Sequence, residues 1–241
     1  MNPADDSPLA PLPEDWERAL AVVAHPDDAE YGIASAAALW TSQGKHIAYV
    51  LATHGEAGID SLSPEECARV REAEERAGAS MVGVEEVEFL DHPDGTIEYG
   101  LPLRRDLAAA IRRHRPEILL TINHRDTFGG RALNMADHRH VGLALLDAVR
   151  DAANRWVFPD AGEPWSGVRM VAVNASPSPT HATDVTGFLD LGIASLCAHR
   201  RYLEHIGQSP EEVDAMLRGF AETAGARLGV DHAVAFEVFD F

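Results

Sequence analysis

Short apolar runs alternate with longer amphipathic ones along most of the chain. Four short runs, ALAVVA (19–24), HIAYVLAT (46–53), VEFL (87–90) and EILLTI (117–122), have the length and turn-residue borders of strands. Stretches 29–43, 64–82, 101–115 and 137–153 carry apolar residues at helical spacing. In the last of these, Val141, Leu145 and Val149 recur every fourth residue and mark one face. Strand, helix, strand, helix in this order predicts right-handed crossovers and an α/β fold. The sheet should be mostly parallel, in a three-layer sandwich with helices on both faces.

The last third is less regular. Residues 169–175 and 233–239 read as further strands, residues near 187–205 and 210–224 as helices, and PDAGEPWSG (159–167) as a loop. Residues 1–14, rich in Pro and Asp, predict a flexible tail. With no internal repeat, low-complexity segment or linker, residues 15–241 are expected to form a single domain.

Composition narrows the partners. A formal net charge of −19 repels phosphate backbones and anionic lipid, so neither nucleic acid nor a membrane is expected. Cys67 and Cys197 stand far apart and outside any CxxC pattern, which argues against disulfides and a cysteine zinc site. The N-terminus lacks the basic start and apolar core of a signal peptide, and no apolar stretch approaches the ~18–20 residues of a bilayer span. A cytoplasmic location is the expectation; a homo-oligomer is compatible with the sequence and not required by it.

Chemistry enters at the strand ends. In open parallel sheets, ligands bind outside the carboxyl edge. The first strand runs into HPDDAE (25–30), the second into HGEAG (54–58) and the third into DHPDG (91–95). The fourth is followed by NHRDTFGG (123–130) and NMADHRHVG (134–142). Any one of these is an ordinary polar turn. Four at one edge are less ordinary, since the opposite edge, with QGKH (43–46) and RHRPE (113–117), holds no comparable set.

Nitrogen and oxygen donors without sulfur suit zinc or a similar divalent ion. His25 and Asp28, three residues apart on a tight turn, can face one point, and His138 near a helix start is the best third ligand. Asp137 can orient a ligand from behind. Asp27 is left beside the ligands, placed to take a proton from an acidified water as general base.

HPDDAE and the later DHRHVG resemble the PIG-L, or LmbE-like, family of N-acetylglucosaminyl-phosphatidylinositol de-N-acetylases. GEAG (55–58), Arg71 with Glu74, VGV (82–84), PDG (93–95) and DVTGFLD with ASLCAHR (184–200) match further family features in order. The resemblance implies a Rossmann-like fold and a zinc- or iron-dependent hydrolase. Its substrate would be a small-molecule glycoside or amide that loses an acetyl group from the amine of an N-acetylglucosamine unit. It assigns His25, Asp28 and His138 to the metal, Asp27 to the base, and Arg71 and Asp94 to substrate binding.

Two departures stand out. Met135 replaces a histidine usual in the family, and Gly192 and Arg200-Arg201-Tyr202 replace its C-terminal lysine and Ser-Gln. His124, at the end of the fourth strand, is the candidate to take over the role of the missing histidine. Met135 also motivates an alternative, a non-catalytic sugar-conjugate binder derived from the same fold. A redox Rossmann enzyme is disfavoured because no GxGxxG follows the first strand. The remaining histidines and the four tryptophans are expected to be structural, with Trp165 the most plausible exception as a sugar platform.

Overall fold

The computed structural model describes residues 7–241. Its strands are β1 (Ala10–Pro11), β2 (Arg18–Val23), β3 (His46–Leu51), β4 (Glu86–Phe89), β5 (Ile118–Ile122), β6 (Met170–Asn174), β7 (His181–Asp184) and β8 (Ala233–Asp240). They form one sheet in the order β1-β7-β8-β6-β5-β2-β3-β4. All neighbours pair in parallel except β8, which runs antiparallel to both β6 and β7. The expected α/β fold is present, and its sheet is mostly parallel.

The helices are α1 (Asp28–Gly32), α2 (Ala34–Ser42), α3 (Pro64–Met81), α4 (Leu101–His114), α5 (Ala136–Ala153), α6 (Leu189–Cys197), α7 (Arg200–Ile206) and α8 (Pro210–Leu228). The pleat of β2 divides the core in two. Leu20, Val22 and Ala24 join Leu103, Leu107, Ile111, Val141 and Leu145 from α4 and α5 on one face. Ala19, Ala21 and Val23 join Trp40 of α2 and Ala79 of α3 on the other. Each Leu or Ile buried in this way contributes roughly 1.5–3 kcal/mol. Among the described residues, no helix is long and apolar enough to cross a membrane.

Three expectations need correction. Residues 1–6 lie outside the described residues, but from residue 7 onward the expected tail is pinned. Ala10 and Pro11 pair with His181 and Ala182, the Leu9 N–H donates to the Arg227 carbonyl at 3.0 Å, and Leu9 and Leu12 are buried. The helix expected over 29–43 is two helices jointed at Ile33, next to Gly32, where a Cβ would overlap Asn174 Oδ1. The helix near 187–205 breaks likewise at Ala198–His199 into α6 and α7.

Candidate active site

β2 lies between β5 and β3, so the chain order reverses there. Such a switch point opens a crevice at the carboxyl edge of the sheet. His25, Asp27 and Asp28 enter it directly after β2, Asp94 after β4, and Asp137 and His138 from the first turn of α5. All six carboxylate or imidazole side chains are largely withdrawn from solvent.

Asp28 is oriented by the backbone. Its Oδ2 accepts from the N–H groups of Ala24 and His25 at 3.1 and 2.9 Å, leaving Oδ1 3.1 Å from His138 Nε2. His25 Nδ1 lies 3.3 Å from the same His138 nitrogen. The far side of each ring is already engaged. His25 Nε2 meets Asp137 Oδ2 at 3.1 Å and Asp94 Oδ1 at 3.2 Å, while His138 Nδ1 meets Asn134 Oδ1 at 3.0 Å. Acceptors at the far nitrogens place the ring protons there and leave two lone pairs and a carboxylate oxygen facing one point. These three donor atoms lie within 4.8 Å of one another. This donor set fits a zinc- or iron-type ion.

The acceptors are themselves fixed. Asp137 takes the N–H groups of Gly95 and Ile97 at 2.7 and 3.1 Å. Asn134 donates through Nδ2 to the carbonyls of Asn123 and Arg125 at 2.7 and 3.0 Å, which fixes its amide the right way round for His138. Burial raises the pKa of Asp28, but the imidazoles of His138 and His25 outweigh it and hold the carboxyl well below the usual range. Burial lowers that of His25, and its hydrogen bonds to Asp137, Asp28 and Asp94 more than reverse the effect.

Asp27 occupies a strained backbone position, φ 105° and ψ −24°. For a residue with a Cβ this costs about 1–3 kcal/mol and persists only where surrounding contacts impose it. Arg71 of α3 supplies one such contact, with Nη2 3.0 Å from Asp27 Oδ1 and a further hydrogen bond to the Pro26 carbonyl. Burial pushes the Asp27 carboxyl up to about 7 against the pull of Arg71, with the charge of Asp28 adding to the rise.

A family model for GlcNAc-PI de-N-acetylases, PIG-L, matches residues 20–149, more than half of the 241 residues. The chain belongs to the PIG-L family. A curated relative, the diacetylchitobiose deacetylase of Thermococcus kodakarensis, is 26% identical over 89% of this chain and 79% of its own length. A second, a probable N-acetyl-alpha-D-glucosaminyl L-malate deacetylase of Bacillus anthracis, is 26% identical over 54% of this chain and 58% of its own. Among solved structures, the N,N'-diacetylchitobiose deacetylase of Pyrococcus horikoshii superposes with a TM-score of 0.82. It is 23% identical and covers 94% of this chain and 85% of that one, a likeness of fold.

The PIG-L motif residues His25, Asp28 and His138 therefore meet, with Asp27 beside them. Arg71, expected at the substrate, is buried against Asp27 and Pro26, its guanidinium stacked 3.7 Å from the Tyr202 ring centroid. Gly55 and Gly58 make room for it, since a Cβ on Gly58 would come within 2.1 Å of Arg71 Nη1. Asp94, also expected at the substrate, accepts from the Ala57 N–H at 2.8 Å and touches His25. His124 packs against Gly142 and Phe239, its Nδ1 buried without a partner. None of the hydrogen bonds or ion pairs described for the His25, Asp28 and His138 side chains involves it. Met135 is the half-exposed residue capping α5, and the Phe128 ring stands edge-on to His138 at 6.0 Å. Trp165 is half-buried, its indole N–H donating to the Pro116 carbonyl at 2.7 Å and its ring packed on Gly167.

Sequence reasoning missed Asn134, Glu75, Glu30 and His199 as a working group. The last three are fully buried, with His199 Nε2 3.7 Å from Glu30 and 3.8 Å from Glu75. Burial raises Glu75 to about 8, raises Glu30 well above its ordinary value and drives His199 down to about 3. Burial thus disfavours the charged form of each of the three. A concavity of about 590 Å³ by the C-terminal end of α4 is lined by Arg105 and Arg113, already paired with Asp160 and Glu88, and carries no comparable chemistry.

Proposed function

We propose that this protein hydrolyses the acetamide of an N-acetylglucosamine-type saccharide or a related small amide, using one divalent metal held by His25, Asp28 and His138. The observation that carries the reading is the convergence of those three donor atoms beside the buried Asp27 carboxylate, which Arg71 holds in place. Its family membership and the deacetylase names of its relatives support the same chemistry. When bound, zinc or iron polarises the acetamide carbonyl and makes a water molecule acidic enough to attack near neutral pH.

The chain's own groups supply the rest. Asp27 takes a proton from the attacking water as its oxygen bonds to the carbonyl carbon, and Arg71 keeps the carboxylate aimed. The same proton then passes from Asp27 to the nitrogen as the C–N bond breaks, releasing acetate and the free amine. A carboxylate held beside the attacking water can both accept and return it. Asp137 and Asp94 hold the His25 ring through Nε2. Nothing favours the binding-only alternative once metal donors and base lie together.

The test is acetate release from N-acetylglucosamine, N,N'-diacetylchitobiose and N-acetylglucosaminyl malate, alongside metal analysis. Near-stoichiometric zinc or iron is expected in the parent, with most of it lost in His25→Ala and His138→Ala. Full metal retention in both variants would overturn the ligand set. Phosphate release without amide cleavage would move the protein to another reaction class.

A further inference from the structure

α3 sends two side chains from one face, Arg71 and Glu75, one helical turn apart, to the loop that carries Asp27. Arg71 Nη2 donates to the Pro26 carbonyl, and Glu75 Oε2 accepts from the Asp27 N–H at 3.0 Å. These are the two ends of a single peptide unit. Because a peptide is planar, holding both ends fixes the rotations on either side of it. One of those rotations is the φ of 105° at Asp27. The same Arg71 nitrogen holds the Asp27 carboxylate, so main chain and side chain are set by one helix.

Glu75 is seated firmly enough for this. Behind it lie Glu30 and His199, all three without solvent exposure or nearly so. One turn onward, Gly78 lets α6 close in, since a Cβ there would lie 2.9 Å from the Ser195 carbonyl and 3.3 Å from His199 Nε2. Glu74 accepts from the Arg201 N–H at 2.6 Å and ties α3 to α7 beside the same spot.

We infer that Glu75 is a positioning residue for the reaction: with Arg71 it clamps the Pro26–Asp27 peptide and so sets where the Asp27 carboxylate points. The inference rests on the reading of Asp27 as the base. Glu75 touches no substrate and acts only through Asp27.

Glu75→Leu removes the acceptor and keeps bulk, whereas Glu75→Gln keeps an acceptor oxygen. Assayed on N,N'-diacetylchitobiose or the fastest substrate of the panel, Glu75→Leu should lower kcat about 10- to 100-fold, with KM and bound metal near the parent's. Glu75→Gln should recover most of that loss. In an Asp27→Asn background, Glu75→Leu should cause no further fall, because no base is left to aim. A folded, metal-loaded Glu75→Leu with parental kcat, beside an inactive Asp27→Asn, overturns the clamp. Parental turnover in Asp27→Asn overturns the base assignment instead. Should Glu75→Leu fail to fold, hydrogen exchange in the parent decides: the clamp requires the Asp27 amide to exchange as slowly as sheet amides, and loop-like exchange overturns it.

Discussion

Asn134 fixes His138 from behind, and its loss separates orientation from ligation. Asn134→Ala leaves all three proposed metal ligands in place but frees the imidazole and strands the Asn123 and Arg125 carbonyls. Metal affinity, measured by chelator competition, should fall about 10- to 100-fold, and unfolding should show a loss of about 1–3 kcal/mol. Met135 behaves differently. Half exposed at the helix start, it accepts Met135→His within about 0.5 kcal/mol of stability. A histidine there can donate where methionine cannot, so kcat should rise by up to about tenfold with unchanged metal content; a fall would mean that Met135 packs against substrate. The proposed ligands were legible because two short polar motifs, one at a strand end and one at a helix start, carry them. Asn134 and Glu75 were not. Glu75 acts across 48 residues of chain, and within REAEERAG it reads like the solvated face of a helix.

At the level of elements, β4 is joined to the end of α4 by charge. Glu88 meets His114 Nε2 at 3.1 Å and also pairs with Arg113. The His114 hydrogen bond acts first, partial burial opposes it, and the Arg113 pairing adds to it, bringing Glu88 down from 4.5 to about 2. The folded pKa lies below the unfolded one. The stabilisation is therefore complete above about pH 4.5 and disappears as pH falls toward 2. After discounting for solvent screening, Glu88→Gln should cost about 0.5–1 kcal/mol at pH 7 and nothing near pH 2, read from urea midpoints at the two pH values. The central strands and α3, α4 and α5 were readable because buried parallel strands are continuous apolar runs and their helices are amphipathic. β7, with the sequence HATD, has no such run, and β1 has two residues, so only their partners reveal them. The joints at Ile33 and Ala198–His199 depend on what packs against them.

Across the whole molecule, the C-terminal strand is an interior one. β8 lies between β6 and β7, and its Phe236 is buried and stacked 6.2 Å from Trp40. A fragment ending at residue 186 would keep every proposed metal ligand and the base, yet would expose the whole side of β6. It should not fold cooperatively, a result that circular dichroism and thermal melting would show; a sharp transition near the parent's Tm would contradict it.

The two outer strands bear on how copies of the chain meet. At one rim β1 offers two residues, too short a template for another strand. At the other, Arg76 Nη1 occupies the Val87 carbonyl at 2.8 Å, and Glu86 and Glu88 stand on the outermost strand with His46, His114 and Arg113 around them. A neighbouring copy trying to extend the sheet there would meet a blocked acceptor and a row of charge. Cross-β stacking between copies is thus discouraged at both rims of the sheet.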